Sequence, residues 1–129
     1  MKKAFPILLS LSMLFTGCAP VSRQANTYRQ ITMQEAVELM ETEKNYVILD
    51  VRTEAEYAAG HIPGAIVVPN ETIGKDEIPQ LPQKDQLILV YCRSGNRSKQ
   101  AAGKLAALGY TNIVEFGGIG SWTGEIEMD

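Results

Sequence analysis

The chain has 129 residues, 45% hydrophobic and 21% charged, a balance that suits one soluble globular domain. A formal net charge of −3, with no basic cluster beyond Arg93 and Arg97, supplies no general attraction to nucleic acid. Cys18, Cys92 and the lone His61 have no metal-binding spacing, and the contexts of the two cysteines differ too much to suggest a mutual disulfide.

Lys2 and Lys3 open the chain as a basic region, followed by an apolar stretch over residues 4–16. That stretch is shorter than the ~20 residues a membrane-spanning helix needs, and it has the form of a secretory signal, here residues 1–17. Its end, Phe15-Thr16-Gly17-Cys18, resembles the lipobox of bacterial lipoproteins, with Phe15 where that family usually has Leu. The resemblance implies that Cys18 is a lipid anchor, and that the protein is exported and held on the outer face of a bacterial membrane or faces the periplasm. An ordinary signal peptide that happens to hold a cysteine is the plainer alternative. Residues 18–27 are polar and read as a tether, leaving residues 28–129 as one domain.

In that domain, residues 28–31 read as an edge strand. Thr32 and Glu35 form a capping box that opens a helix whose Met33, Ala36, Val37 and Met40 recur at core-facing spacing. Residues 46–49 read as a buried strand that carries Asp50, Val51 and Arg52 to its C-terminal end, the edge of an α/β sheet where ligands bind. Asp50 and Arg52 could orient active-site groups, but the simpler reading pairs them with each other or with nearby backbone. Thr53 and Glu56 form a second capping box, on a short helix ending at Gly60. His61 lies in a turn before a strand over residues 65–68, so its ring is expected to serve local backbone rather than to activate a nucleophile. Residues 70–84 read as a loop with one helical turn near residues 71–77.

The chemistry centres on residues 87–98. Leu87 to Tyr91 is a continuous apolar run, the pattern of a strand covered on both faces. From about Ser98, Ala101, Ala102, Leu105 and Leu108 recur at helical spacing, with Lys99 and Lys104 facing away. The short turn between them, loosened by Gly95 and Asn96, places Cys92 where unpaired backbone N–H groups and a helix N-terminus converge. Arg93 and Arg97 add two positive charges. A thiol in such a place loses its proton more easily than a free one. A buried structural cysteine is the alternative, and the polar flanks of Cys92 argue against burial. Gly109 then stops the helix, residues 112–116 form a last strand, and Gly117-Gly118 allow close backbone approach to the Cys92 loop. The large apolar area of Trp122 suits closure of the core near the site. Alternating strands and helices predict an α/β fold with a mainly parallel sheet and helices on both faces.

Three ordered motifs resemble the rhodanese (sulfurtransferase) family: Tyr91-Cys92-Arg93-Ser94-Gly95-Asn96-Arg97-Ser98, then upstream Asp50-Val51-Arg52 with Glu56-Tyr57 and Gly60-His61-Ile62-Pro63-Gly64-Ala65, and downstream Gly117-Gly118-Ile119 with Trp122. The resemblance implies a five-stranded sheet, with Cys92 taking sulfur from a small anionic donor such as thiosulfate as a persulfide and passing it to cyanide or a thiol. The thiol could belong to a small redox protein. Residues Arg93 through Ser98 would bind the anion and stabilise the persulfide, with Asp50 and Arg52 in support. No metal or organic cofactor is implied, and the expected state is a monomer with no nucleic-acid partner. A cysteine-dependent phosphatase is a weaker reading, because those enzymes resemble Cys-x-x-x-x-x-Arg and only four residues separate Cys92 from Arg97. A rhodanese-fold binding module or a redox sensor remains the other alternative.

Overall fold

The computed structural model describes residues 27–129. The signal segment, Cys18 and nearly all of the tether therefore lie outside the described residues. In chain order the elements are β1 (Arg29–Gln30), α1 (Met33–Thr42), β2 (Tyr46–Asp50), α2 (Glu54–Ala59), β3 (Ile66–Val67), β4 (Leu87–Cys92), α3 (Asn96–Ala107) and β5 (Ile113–Gly118), with 3-10 turns at Asn70–Thr72 and Ile119–Ser121. The strands form one sheet in the order β1-β5-β4-β2-β3, and every pairing is parallel. All five strands therefore deliver their C-terminal ends to one edge.

The apolar run of β4 lies at the centre of the sheet, with Ile88, Leu89, Val90 and Tyr91 all fully buried or nearly so. Its alternating side chains feed two cores. On one face, Ile88, Val90 and Cys92 pack with Ala101, Ala102 and Leu105 of α3, and with Ile73, Ile78 and Leu81 from the long loop. On the other, Leu89 and Tyr91 meet Ala36 of α1, Ile62 and Phe116. Each such side chain contributes about 1.5–3 kcal/mol by leaving water, so β4 anchors both layers.

Both capping boxes form: Thr32 Oγ1 accepts from the Glu35 N–H at 3.1 Å, and Thr53 Oγ1 accepts from the Glu56 N–H at 3.2 Å. Several expectations need adjustment. Helix α3 begins at Asn96, because Gly95 at φ +106° serves as its N-cap. In α1, Leu39 rather than Val37 joins Met33 and Met40 against the core. The helical turn of the long loop comes early, at Asn70–Thr72. Lys104 does not face away; its ammonium donates to the Asn70 carbonyl at 2.9 Å, tying α3 to that turn. Gly117 and Gly118 lie inside β5 rather than after it. Trp122 is half-buried against the α1-side core, and its indole N–H donates to the Glu125 carbonyl at 2.9 Å.

Candidate active site

Cys92 is the last residue of β4, and α3 starts four positions later, so residues 93–95 must reverse the chain within one turn. The positive φ of Gly95 makes that reversal without a Cβ clash. A register shift between Val90 and Cys92 puts Cys92 opposite Gly118 on β5. A Cβ on Gly118 would collide with the Arg93 carbonyl, so glycine is required for the loop to lie against the strand.

The sulfur is held by polar groups. The Gly95 N–H donates to Cys92 Sγ at 2.9 Å, and Ser98 Oγ lies 3.4 Å from it. Burial pushes the thiol's pKa up, but hydrogen bonds from the Ser98 hydroxyl and from the backbone N–H groups of Ser98, Gly95 and Ser94 outweigh it. The net displacement is below the ordinary thiol value. The same arrangement corrects one expectation: Cys92 is 0% exposed, sealed beneath the turn despite its polar flanks. Arg93, Ser94 and Asn96 are exposed and Gly95 and Ser98 buried, because the turn folds its backbone inward onto the sulfur and its longer side chains outward.

Arg97 also departs from expectation. It is not a free charge: its Nη1 and Nη2 donate to Glu56 Oε1 and Oε2 at 2.7 and 3.0 Å, a two-pronged pair joining the first turn of α3 to α2. The guanidinium holds the Glu56 carboxyl down to about 2, and Arg97 itself is raised by the same partner. Arg93, by contrast, has no carboxylate within ion-pair distance among the described residues, and it lines a cleft of ≈ 220 Å³ with Arg52, Glu56 and Ile119.

Asp50 and Arg52 pair with each other and support the edge from below. Arg52 Nη2 donates to Asp50 Oδ2 at 2.6 Å and to the Gly60 carbonyl at 2.7 Å. Asp50 also accepts from the Tyr91 hydroxyl at 2.6 Å, and that hydroxyl accepts from the Ile62 N–H at 3.1 Å. Burial and the Asp50 hydrogen bond together raise the Tyr91 phenol above its ordinary value. The network ties β2, β4 and the α2–β3 turn into one rigid base. His61 serves structure as expected: Nδ1 lies 2.8 Å from the Tyr57 carbonyl and the ring stacks on Tyr57 at 3.7 Å.

The sequence reading places Glu56 in a capping box and in the upstream family motif but not beside Arg97, and it passes over Glu115. Glu115, on β5, is 3% exposed and turns towards Ser98. An acidic residue between Val114 and Phe116 in an otherwise apolar strand was the available signal.

The rhodanese-like domain model matches residues 32–125. The chain belongs to the rhodanese-like domain family. The rhodanese-like fold is shared with a rhodanese-like domain protein of Staphylococcus aureus at a TM-score of 0.65 and 31% identity, over 78% of this chain and 98% of that one. A sulfurtransferase of Allochromatium vinosum is 41% identical over 87 residues, covering 65% of this chain and 77% of its own. The thiosulfate sulfurtransferase PspE of Escherichia coli is 34% identical over 71 residues, covering 55% of this chain and 68% of its own. The chain spans 57% of the sulfur carrier protein YrkF of Bacillus subtilis and 27% of the adenylyltransferase/sulfurtransferase MoeZ of Mycobacterium tuberculosis. Rhodanese-like relatives named for sulfur transfer support that role at the level of the family.

Proposed function

We propose that this rhodanese-like chain is a sulfurtransferase working through a Cys92 persulfide. The Cys92 thiolate attacks the outer sulfur of an anionic donor such as thiosulfate; a new S–S bond forms, the donor's S–S bond breaks, and its electron pair leaves with sulfite. An acceptor thiolate, or cyanide in the assay, then attacks the outer sulfur of the persulfide, and Cys92 leaves as thiolate. Two displacements at one nucleophile give ping-pong kinetics. The observation that carries the reading is the inward-turned loop that aims the Gly95 N–H at Sγ from 2.9 Å and sets the Ser98 hydroxyl 3.4 Å from it, which favours an anionic sulfur. Arg93, unpaired among the described residues, supplies the attraction for an anionic donor, while Arg97 is committed to Glu56. Because the sulfur is covered, the Arg93–Ser94 turn must lift to admit the donor. A phosphatase is disfavoured because Arg97, on the helix side of the loop, is held by Glu56 and follows Cys92 one residue too early for Cys-x-x-x-x-x-Arg.

The test is thiocyanate formation from thiosulfate and cyanide, alongside mass spectrometry after thiosulfate alone. The expected result is a gain of one sulfur on the wild-type chain and loss of both signals in Cys92→Ser. Thiocyanate formation retained in Cys92→Ser, or a wild-type chain that gains oxygen instead of sulfur, would overturn the reading. The same reading takes residues 1–17 as an export signal and Cys18 as a lipid anchor, with the domain acting as a monomer outside the cytoplasm. Fatty-acid labelling of the wild-type chain, absent from Cys18→Ser, is the expected outcome there.

A further inference from the structure

Glu115 is a buried carboxylate for which the mechanism above has no use. Burying a carboxylate costs several kcal/mol unless it is paired, and among the described residues no cation lies within 4 Å of this one. Its Oε2 instead accepts from the Gly117 N–H at 2.6 Å and from Ser98 Oγ at 3.0 Å. Ser98 Oγ in turn lies 3.4 Å from Cys92 Sγ and 3.0 Å from the Gly95 carbonyl. A hydroxyl has one proton to donate and lone pairs to accept with. With the Gly117 carbonyl at 3.5 Å, four acceptors therefore compete for a single Ser98 proton, and one of them is the reacting sulfur.

We infer that Glu115 is a positioning residue for the Cys92 nucleophile, acting through the Ser98 hydroxyl. While the sulfur is a thiol, its S–H donates to Ser98 Oγ and Ser98 donates to Glu115. When the sulfur is a thiolate, the Ser98 O–H swings to Sγ, and Glu115 keeps only the Gly117 N–H and the solvent at the cleft of ≈ 340 Å³ that it lines with Ser94, Lys99 and Gly117. In the persulfide the charge sits on the outer sulfur, farther from Ser98, so the hydroxyl returns to Glu115. It swings back when the acceptor breaks the S–S bond and the electron pair arrives on Sγ. Glu115 thus opposes the free thiolate and Ser98 favours it, and the hydroxyl follows the charge through the cycle.

The charged groups around the sulfur come from every element packed on it. Arg93 and Arg97 belong to the turn and α3, Glu115 to β5, and Glu56 of α2 is bound to Arg97. Asp50 and Arg52 at the end of β2 are bound to each other. Among the described residues, only Glu115 reaches Sγ through a rotatable hydroxyl.

The inference rests on Cys92 being the nucleophile, and its test reads ionisation without requiring sulfur transfer. The full-length chain is titrated by thiolate absorbance near 240 nm, with the Cys92→Ser chain as blank to remove the Cys18 signal. Glu115→Gln keeps shape and an acceptor oxygen but removes the charge. The expected result is a Cys92 step moved to lower pH, with the thiolate fraction below the wild-type midpoint raised roughly three- to tenfold. Ser98→Ala should move the step the other way, since the thiolate loses a donor. In the Ser98→Ala background, Glu115→Gln should have less than half its effect. An unmoved step in either single variant, or an equal Glu115→Gln effect with and without Ser98, would overturn the inference. Ser98→Ala alone keeps the question decidable if Glu115→Gln does not fold. A chain whose steps move as expected but which forms no thiocyanate would retain this inference and lose the proposed function.

Discussion

At the scale of single residues, the site divides its charges between those that are free and those already committed. Glu56 illustrates the consequence for stability. Its carboxyl is held at about 2 in the folded chain against an ordinary 4.5, so it binds fewer protons folded than unfolded. Its contribution is therefore full above about pH 4.5 and is lost as pH falls towards 2. The pair is about a quarter exposed on each side, and solvent screening keeps the contribution to about 1 kcal/mol. Glu56→Gln should cost that much at pH 7 in urea unfolding, and its difference from wild type should close between pH 5 and 2. A difference that persists at pH 2 would mean that Glu56 contributes through packing rather than charge. The lowered thiol makes a companion expectation: the acid limb of sulfur uptake against pH should lie below that of a free thiol.

At the scale of elements, the Cys92 loop depends on how closely β5 approaches it. Gly118→Ala puts a methyl group into the Arg93 carbonyl and must push the loop off the strand. It should destabilise the chain by about 1–3 kcal/mol, the usual range for overpacking, and reduce thiocyanate formation at least tenfold. Gly103→Ala, on the exposed side of α3 where an added Cβ meets nothing within 4 Å, should instead stabilise by about 0.5–1 kcal/mol and leave activity unchanged. A harmless Gly118→Ala would show that the close approach is not needed. The elements themselves were largely legible in the sequence. The apolar run before Cys92, the two Thr-x-x-Glu boxes and the helical spacing after Ser98 are local signals with local causes. What the sequence did not disclose is set by pairs far apart along it. Glu56 and Arg97 are 41 positions apart, and nothing in either neighbourhood predicts that α2 will swing against α3. The cover over Cys92 is of the same kind: the residues of the turn are polar, which suggested exposure, but it is their backbone that faces the sulfur.

At the scale of the whole molecule, the Asp50–Arg52–Tyr91 network holds together the edge on which every functional group stands. It joins two central strands to the turn after α2 through groups that are 0–5% exposed. Removing one member of such a buried pair leaves the other charge without compensation, at a cost of about 3–5 kcal/mol. Asp50→Ala is therefore expected to lower the unfolding midpoint sharply and globally, with fluorescence and circular dichroism falling together. A loss of activity with stability intact would instead make Asp50 a participant in the reaction. The pairing of Asp50 with Arg52 was readable from their adjacency at a strand end, whereas the Tyr91 hydroxyl that completes it was hidden in a run read only as apolar.

The zero exposure of Cys92 has a practical corollary for how this thiol meets its surroundings. A nucleophile whose covering turn must first lift is a sieve: peroxide-sized molecules need a small opening, whereas a folded partner protein needs the turn held wide. Its reaction rate with a bulky aromatic disulfide should then saturate at the opening rate, however concentrated the reagent, and that ceiling would measure how often the turn lets the outside in.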